Sequence, residues 1–157
     1  MFQPNDSPIV KTATDVLQRI IDAHGNQIPG RLGGYLCVVQ RPTGILQMLR
    51  SIGMFTDSRF ALSCEKEAVA NARSLLEYPD ALSTWAIRNP PSILGGGIAL
   101  PAWDINVSFC GLDEVGNEAG VLISLVELGL LNSDTVRPYL AISYNALYLQ
   151  LAELAAA

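Results

Sequence analysis

YLCVVQRPTGILQMLRSI, residues 35–52, decides the fold. Tyr35 to Gln40 reads as a buried strand: a short apolar run with two adjacent β-branched residues, bounded by glycines and a turn. Arg41-Pro42-Thr43-Gly44 carries turn-forming residues and reverses the chain. Ile45 to Ile52 then returns as a second strand, so the pair is a hairpin. Met48, Arg50 and Ile52 share one of its faces, and Gln47, Leu49 and Ser51 the other. A second hairpin follows further on. Gly96-Gly97-Ile98-Ala99-Leu100-Pro101 gives a short strand, Ala102-Trp103-Asp104 a turn, and Ile105 to Gly111 another strand. In that last strand Ile105, Val107 and Phe109 alternate with Asn106, Ser108 and Cys110.

Helices fill the intervals. Ser7 can cap a first helix, with Pro8 at its first position, where a missing N–H costs nothing. Ile9, Ala13, Val16 and Ile20 fall on one face, and His24-Gly25 marks the end. Residues 1–6 read as a flexible lead, and a glycine-rich loop runs through Gly33 and Gly34. Ser63 is expected to open the second helix, with Glu65 and Glu67 in its first turn and Cys64, Ala68, Ala72 and Leu75 on its packing face. Tyr78-Pro79-Asp80 ends it. Residues 79–95 contain Asn89-Pro90-Pro91 and predict an ordered loop or a short helix. Asp113 caps a third helix with Val115, Ala119, Leu122, Val126 and Leu130 at helical spacing. A fourth helix is expected from about Thr135, with Val136, Leu140, Tyr144, Leu147, Leu151 and Leu154 on one stripe. It holds no charge between Arg137 and Glu153, as a buried helix would. The order of elements predicts an α+β fold, an antiparallel sheet with helices packed on it, with residues 133–157 as an extra C-terminal helix.

The 157 residues fit one domain, 1–157, large enough to need no disulfide or metal staple. Half of them are hydrophobic and 16% are charged, against about 25% in ordinary globular chains. So little charge points to apolar surface covered in a homo-oligomer. The net charge of −5 and the absence of a basic patch argue against nucleic acid and against an anionic membrane surface as partners. Cys37, Cys64 and Cys110 are widely spaced and form no metal motif. Free thiols suit a reducing compartment, and the expected location is cytoplasmic. The opening MFQPNDSPIV lacks the pattern of a signal peptide, and no apolar run is long enough to cross a membrane.

The arrangement of elements resembles the GlcG/HbpS-like family, also known as a haem-degrading or haem-binding-uptake domain. The residues that carry the likeness are Ser63, Glu65, Lys66, Ala68, Ala70 and Ala72 in SCEKEAVANA, one residue out of the family spacing. Gly96, Gly97 and Pro101 stand where the family turns into a strand. Val107 to Leu112, then Asn117-Glu118-Ala119, match its next strand and alanine-rich helix, with Asn117 where an Asp is usual. The likeness covers about residues 9–131. It implies a profilin-like fold, homo-oligomers, and a ligand such as haem or a corrinoid.

Few residues can carry chemistry. His24 is the lone histidine, an axial haem ligand under the resemblance or simply a residue suited to a helix C-terminus. One histidine cannot build a zinc site by itself. Cys64 and Cys110 are nucleophiles or soft ligands by type, and buried structural thiols by position. Gly95-Gly96-Gly97 lacks the Lys-Ser/Thr of a phosphate loop. Glu114 and Glu118 share a helix face, where they either share a proton or complement the dipole. Trp85, Arg88, Asn89 and Trp103 flank the loop before the glycines. The expected cofactor-binding set is His24, Ser63, Trp85, Arg88, Gly96 and Gly97, with no catalytic or metal residues assigned. The expected function is non-catalytic binding of a small molecule. A scaffold without a ligand, and a small enzyme using a thiol or carboxylate, are the alternatives.

Overall fold

A computed structural model describes residues 6–24 and 30–156. Helix α1 spans Asp6–His24, one residue ahead of the cap expected at Ser7. The flexible lead lies mostly outside the described residues, as does the segment 25–29. Strands β1 (Gly33–Gln40) and β2 (Leu46–Gly53) form the first hairpin. β3 (Gly97–Leu100) and β4 (Ile105–Cys110) form the second. All pairings are antiparallel, in the order β2-β1-β4-β3. β1 begins two residues earlier than expected, so Gly33 and Gly34 belong to the sheet rather than to a loop. The register slips between Val38, which pairs with Met48, and Val39, which pairs with Leu46.

The sheet is covered on both faces. Leu36, Val38, Met48, Ile52, Ile98, Val107 and Phe109 join the side chains of α1 and of α3 (Glu114–Glu127) in the larger core. Cys37, Val39 and Cys110 face the second helix, α2 (Ser58–Ser74), through Cys64, Ala68 and Ala72. Each strand of the central pair therefore buries both sets of alternating residues. The result is an α+β, profilin-like fold with additional helix at its C-terminal end.

Three expectations need correction. α2 spans Ser58–Ser74 and is capped by Asp57, whose carboxylate accepts from Arg59 N at 2.8 Å. Ser63 therefore lies inside the helix and does not open it. Asp57 wins because it sits in extended backbone and nothing between it and Ser63 breaks a helix. Glu65, Glu67 and Cys64 accordingly lie beyond the first turn and gain nothing from the helix dipole. α2 also ends before Tyr78, at Ser74. Finally, the expected fourth helix is two: α4 (Arg137–Ser143) and α5 (Ala146–Ala156). Tyr144 adopts a left-handed conformation (φ 52°) and is 80% exposed, leaving the expected stripe. Asn145 then starts α5, with its Oδ1 accepting from Tyr148 N at 3.0 Å. Val136, Tyr139, Leu147, Tyr148 and Leu151 are buried within the chain's own core. Leu154's side chain lies outside the described residues.

Candidate functional site

α2 crosses the outer face of β4 along a regular ladder. Asn106 Nδ2 donates to the Ala72 carbonyl at 2.9 Å, and Ser108 Oγ donates to the Ala68 carbonyl. Two residues along a strand and four along a helix both advance about 6 to 7 Å. The next rung of the ladder therefore sets Cys110 against Cys64, and both thiols share one packed cluster and line the same groove. Alanines at 68 and 72 allow this close approach, since a larger side chain would lift the helix off the sheet.

Beyond that last rung the seam opens into a groove of about 440 Å3. α2 supplies one wall with Phe60, Ser63, Cys64 and Glu67. The end of β4 forms the floor with Cys110 and Gly111. The start of α3 supplies the other wall with Asp113, Glu114 and Asn117, and Leu94 and Arg31 stand at the rim. Aromatic rings extend the α2 wall: Tyr35, Phe55 and Phe60 contact in series at 5.5 and 6.1 Å, and the Arg31 guanidinium lies 5.7 Å from the Phe60 ring. Cys110 Sγ donates to Glu67 Oε2 at 2.9 Å. The neighbouring Cys110, helped by Arg31, holds the Cys64 thiol below its ordinary value against burial and Glu67. Cys110 is pushed up by the neighbouring Cys64, by burial and by Glu67. Cys37 lies elsewhere under α2 and is raised to about 12, chiefly by burial.

Of the residues expected to bind a cofactor, Ser63 lines the groove and is exposed. Trp85, Arg88, Gly96 and Gly97 are not among its lining residues; Arg88 and Gly96 abut its α3 wall at Glu114 and Asn117. Arg88 makes a bidentate pair with Glu114, at 2.7 and 2.6 Å, and its guanidinium lies 5.7 Å from the Trp85 ring. Glu114 also accepts from Gly95 N at 2.8 Å, which ties the loop to α3. Arg88 and that backbone bond hold the Glu114 carboxyl below the usual carboxylate range. Gly96 has φ 127°, a conformation open to glycine. A Cβ on Gly97 would lie 2.6 Å from Thr84 Cγ2, because β3 presses on the short 3-10 turn Thr84–Ile87. His24 closes α1, and its side chain lies outside the described residues. Trp103 donates to the Leu130 carbonyl at 3.2 Å and packs against the core.

Glu118 does not share a proton with Glu114; each carboxylate has its own partners. Glu118 is fully buried. It accepts from Ser83 Oγ at 3.0 Å and from Asn145 Nδ2 at 3.2 Å. Burial raises its pKa, and these bonds offset part of the rise. It joins three segments of chain at a point away from the groove.

Sequence reading missed Arg31, Phe60, Glu67 and the meeting of Cys64 with Cys110. A signal for that meeting existed: small residues every four in α2 opposite polar residues every two in β4. With Glu114 paired to Arg88, the lining sets the Glu67 and Asp113 carboxylates against the Arg31 guanidinium, and the axial candidate His24 has its side chain outside the described residues. Among the described residues no group of His, Cys, Asp and Glu is arranged to hold a metal ion, and no helix is long and apolar enough to cross a membrane. No family model, curated protein or solved structure matches the chain.

Proposed function

We propose that the protein is a non-catalytic small-molecule-binding protein that works as a homo-oligomer and holds its ligand in the groove between α2 and α3. The observation that carries this reading is the groove itself. Its volume of about 440 Å3 falls in the range of ligand sites, and the Phe60 ring there meets convergent polar groups. The excess of carboxylates favours a neutral or cationic metabolite rich in hydrogen-bond donors. Ile45 (61% exposed), Leu46 and Met54 beside the free edge of β2 support the homo-oligomer. The three free thiols support a reducing, cytoplasmic setting.

Thermal unfolding of the full chain against a panel of neutral and cationic metabolites tests the ligand. At least one compound should raise the midpoint of the parent and fail to raise that of Ser63→Trp, which fills the groove from an exposed position. A haemin titration run alongside should give no Soret shift at micromolar concentration. A clear shift would replace this reading with the haem ligand that the family resemblance implies. Light scattering should give a mass above the 16.9 kDa of one chain. A multimer that binds no compound would leave assembly as the function.

A further inference from the structure

We propose that Cys64 and Cys110 form a two-thiol oxidation site on the floor of the groove, which a small hydroperoxide converts to a disulfide. The inference does not depend on which metabolite the groove holds. It starts from the ladder between α2 and β4. Two rungs of that ladder are backbone-anchored hydrogen bonds, Asn106 to Ala72 and Ser108 to Ala68. They fix helix and strand against each other, so the third rung brings the two sulfurs together without any side chain needing to search. The first two rungs are buried, whereas the third opens into the groove. Both thiols are nearly covered at that floor, 1% and 6% exposed. Such access admits hydrogen peroxide and excludes a bulky disulfide.

The surrounding groups divide the labour. The neighbouring Cys110 and the Arg31 guanidinium favour the thiolate of Cys64, the form that reacts. Cys110 keeps its proton and points it at Glu67. The Cys64 thiolate attacks one peroxide oxygen and the O–O bond breaks. The departing hydroxide takes up the proton Cys64 released and leaves as water, and Cys64 becomes a sulfenic acid. The Cys110 sulfur then attacks the Cys64 sulfur. Its proton passes by way of the Glu67 carboxylate to the leaving hydroxyl, the S–O bond breaks and a second water departs. Two thiols lose two electrons to one peroxide, and one S–S bond forms. Cys37, fully buried under α2 outside the groove, is a built-in control.

The test uses the native full chain and hydrogen peroxide. After brief treatment, free thiols are blocked and the digest is mapped by mass spectrometry. The expected product is one linked peptide pair, Cys64 with Cys110, lighter by two hydrogen atoms, with Cys37 still reduced. Cys37→Ser should form the same link at the same rate. In Cys110→Ser the sulfenic acid should persist on Cys64 and react with dimedone, and in Cys64→Ser oxidation should slow at least tenfold. The same chain in urea, where the ladder is gone, should lose the preference for this pair. Folding of each serine variant is checked by circular dichroism, and the unsubstituted chain decides the outcome alone if a variant fails to fold. Three reduced thiols in the native chain after treatment, or a link through Cys37, would overturn the proposal.

Discussion

Glu114 and Glu118 show how little spacing says about a side chain's surroundings. They sit one turn apart on α3, yet one meets solvent and Arg88 while the other is sealed beneath Ser83 and Asn145. Burial raises the Glu118 pKa above its ordinary 4.5. The folded state therefore holds this proton more tightly than the unfolded chain. Its contribution to stability is complete below the unfolded value and is lost as pH rises through the folded one. Glu118→Gln, which cannot ionise, should flatten that decline in urea unfolding measured from acid to mildly alkaline pH. Glu118→Ala should cost about 2 to 4 kcal/mol at neutral pH, because it leaves a cavity and strips Ser83 and Asn145 of a buried partner. A pH profile unchanged in Glu118→Gln would mean that the carboxyl ionises freely in place.

At the scale of elements, the decisive contact is the seam between α2 and β4. Its closeness depends on Ala68 and Ala72, both fully buried. Ala68→Leu puts a branched side chain where the Ser108 hydroxyl bonds the helix carbonyl. It should destabilise the chain by about 1 to 3 kcal/mol and lift α2 off the sheet. The lift should also separate the two thiols, so the peroxide-driven link between them should weaken in the same variant. A stability loss with the link intact would show that the seam yields at Ala68 while its open end stays in register. The seam was half visible in sequence. The alternation of Asn106, Ser108 and Cys110 and the small residues of α2 were both legible. That they face each other depends on pairing across 34 to 43 positions of chain, which local patterns do not encode.

For the molecule as a whole, the C-terminal segment is part of the core. Val136, Tyr139, Leu147, Tyr148 and Leu151 are buried against α3 and its neighbours. At about 1.5 to 3 kcal/mol for each such side chain, their sum rivals the entire 5 to 15 kcal/mol that holds a typical domain folded. Removing residues 133–157 should therefore abolish the cooperative thermal transition seen by circular dichroism. A truncated chain that still melted cooperatively would mark the segment as an appendage. By itself the sequence determined the two hairpins, the amphipathic first and third helices, the Asp113 cap and the α+β class, because each of these is set by periodicity or by turn chemistry over a few residues. The tertiary structure alone decided where α2 begins, that the last helix breaks at Tyr144, and which side chains share the groove. Asp57 and Ser63 are both acceptable caps, and Tyr144 continues a plausible stripe, until packing settles them. Asn145 takes its place because Glu118 and the Val115 carbonyl accept its amide. Cys64 meets Cys110 only because a helix and a strand laid side by side advance at matching rates.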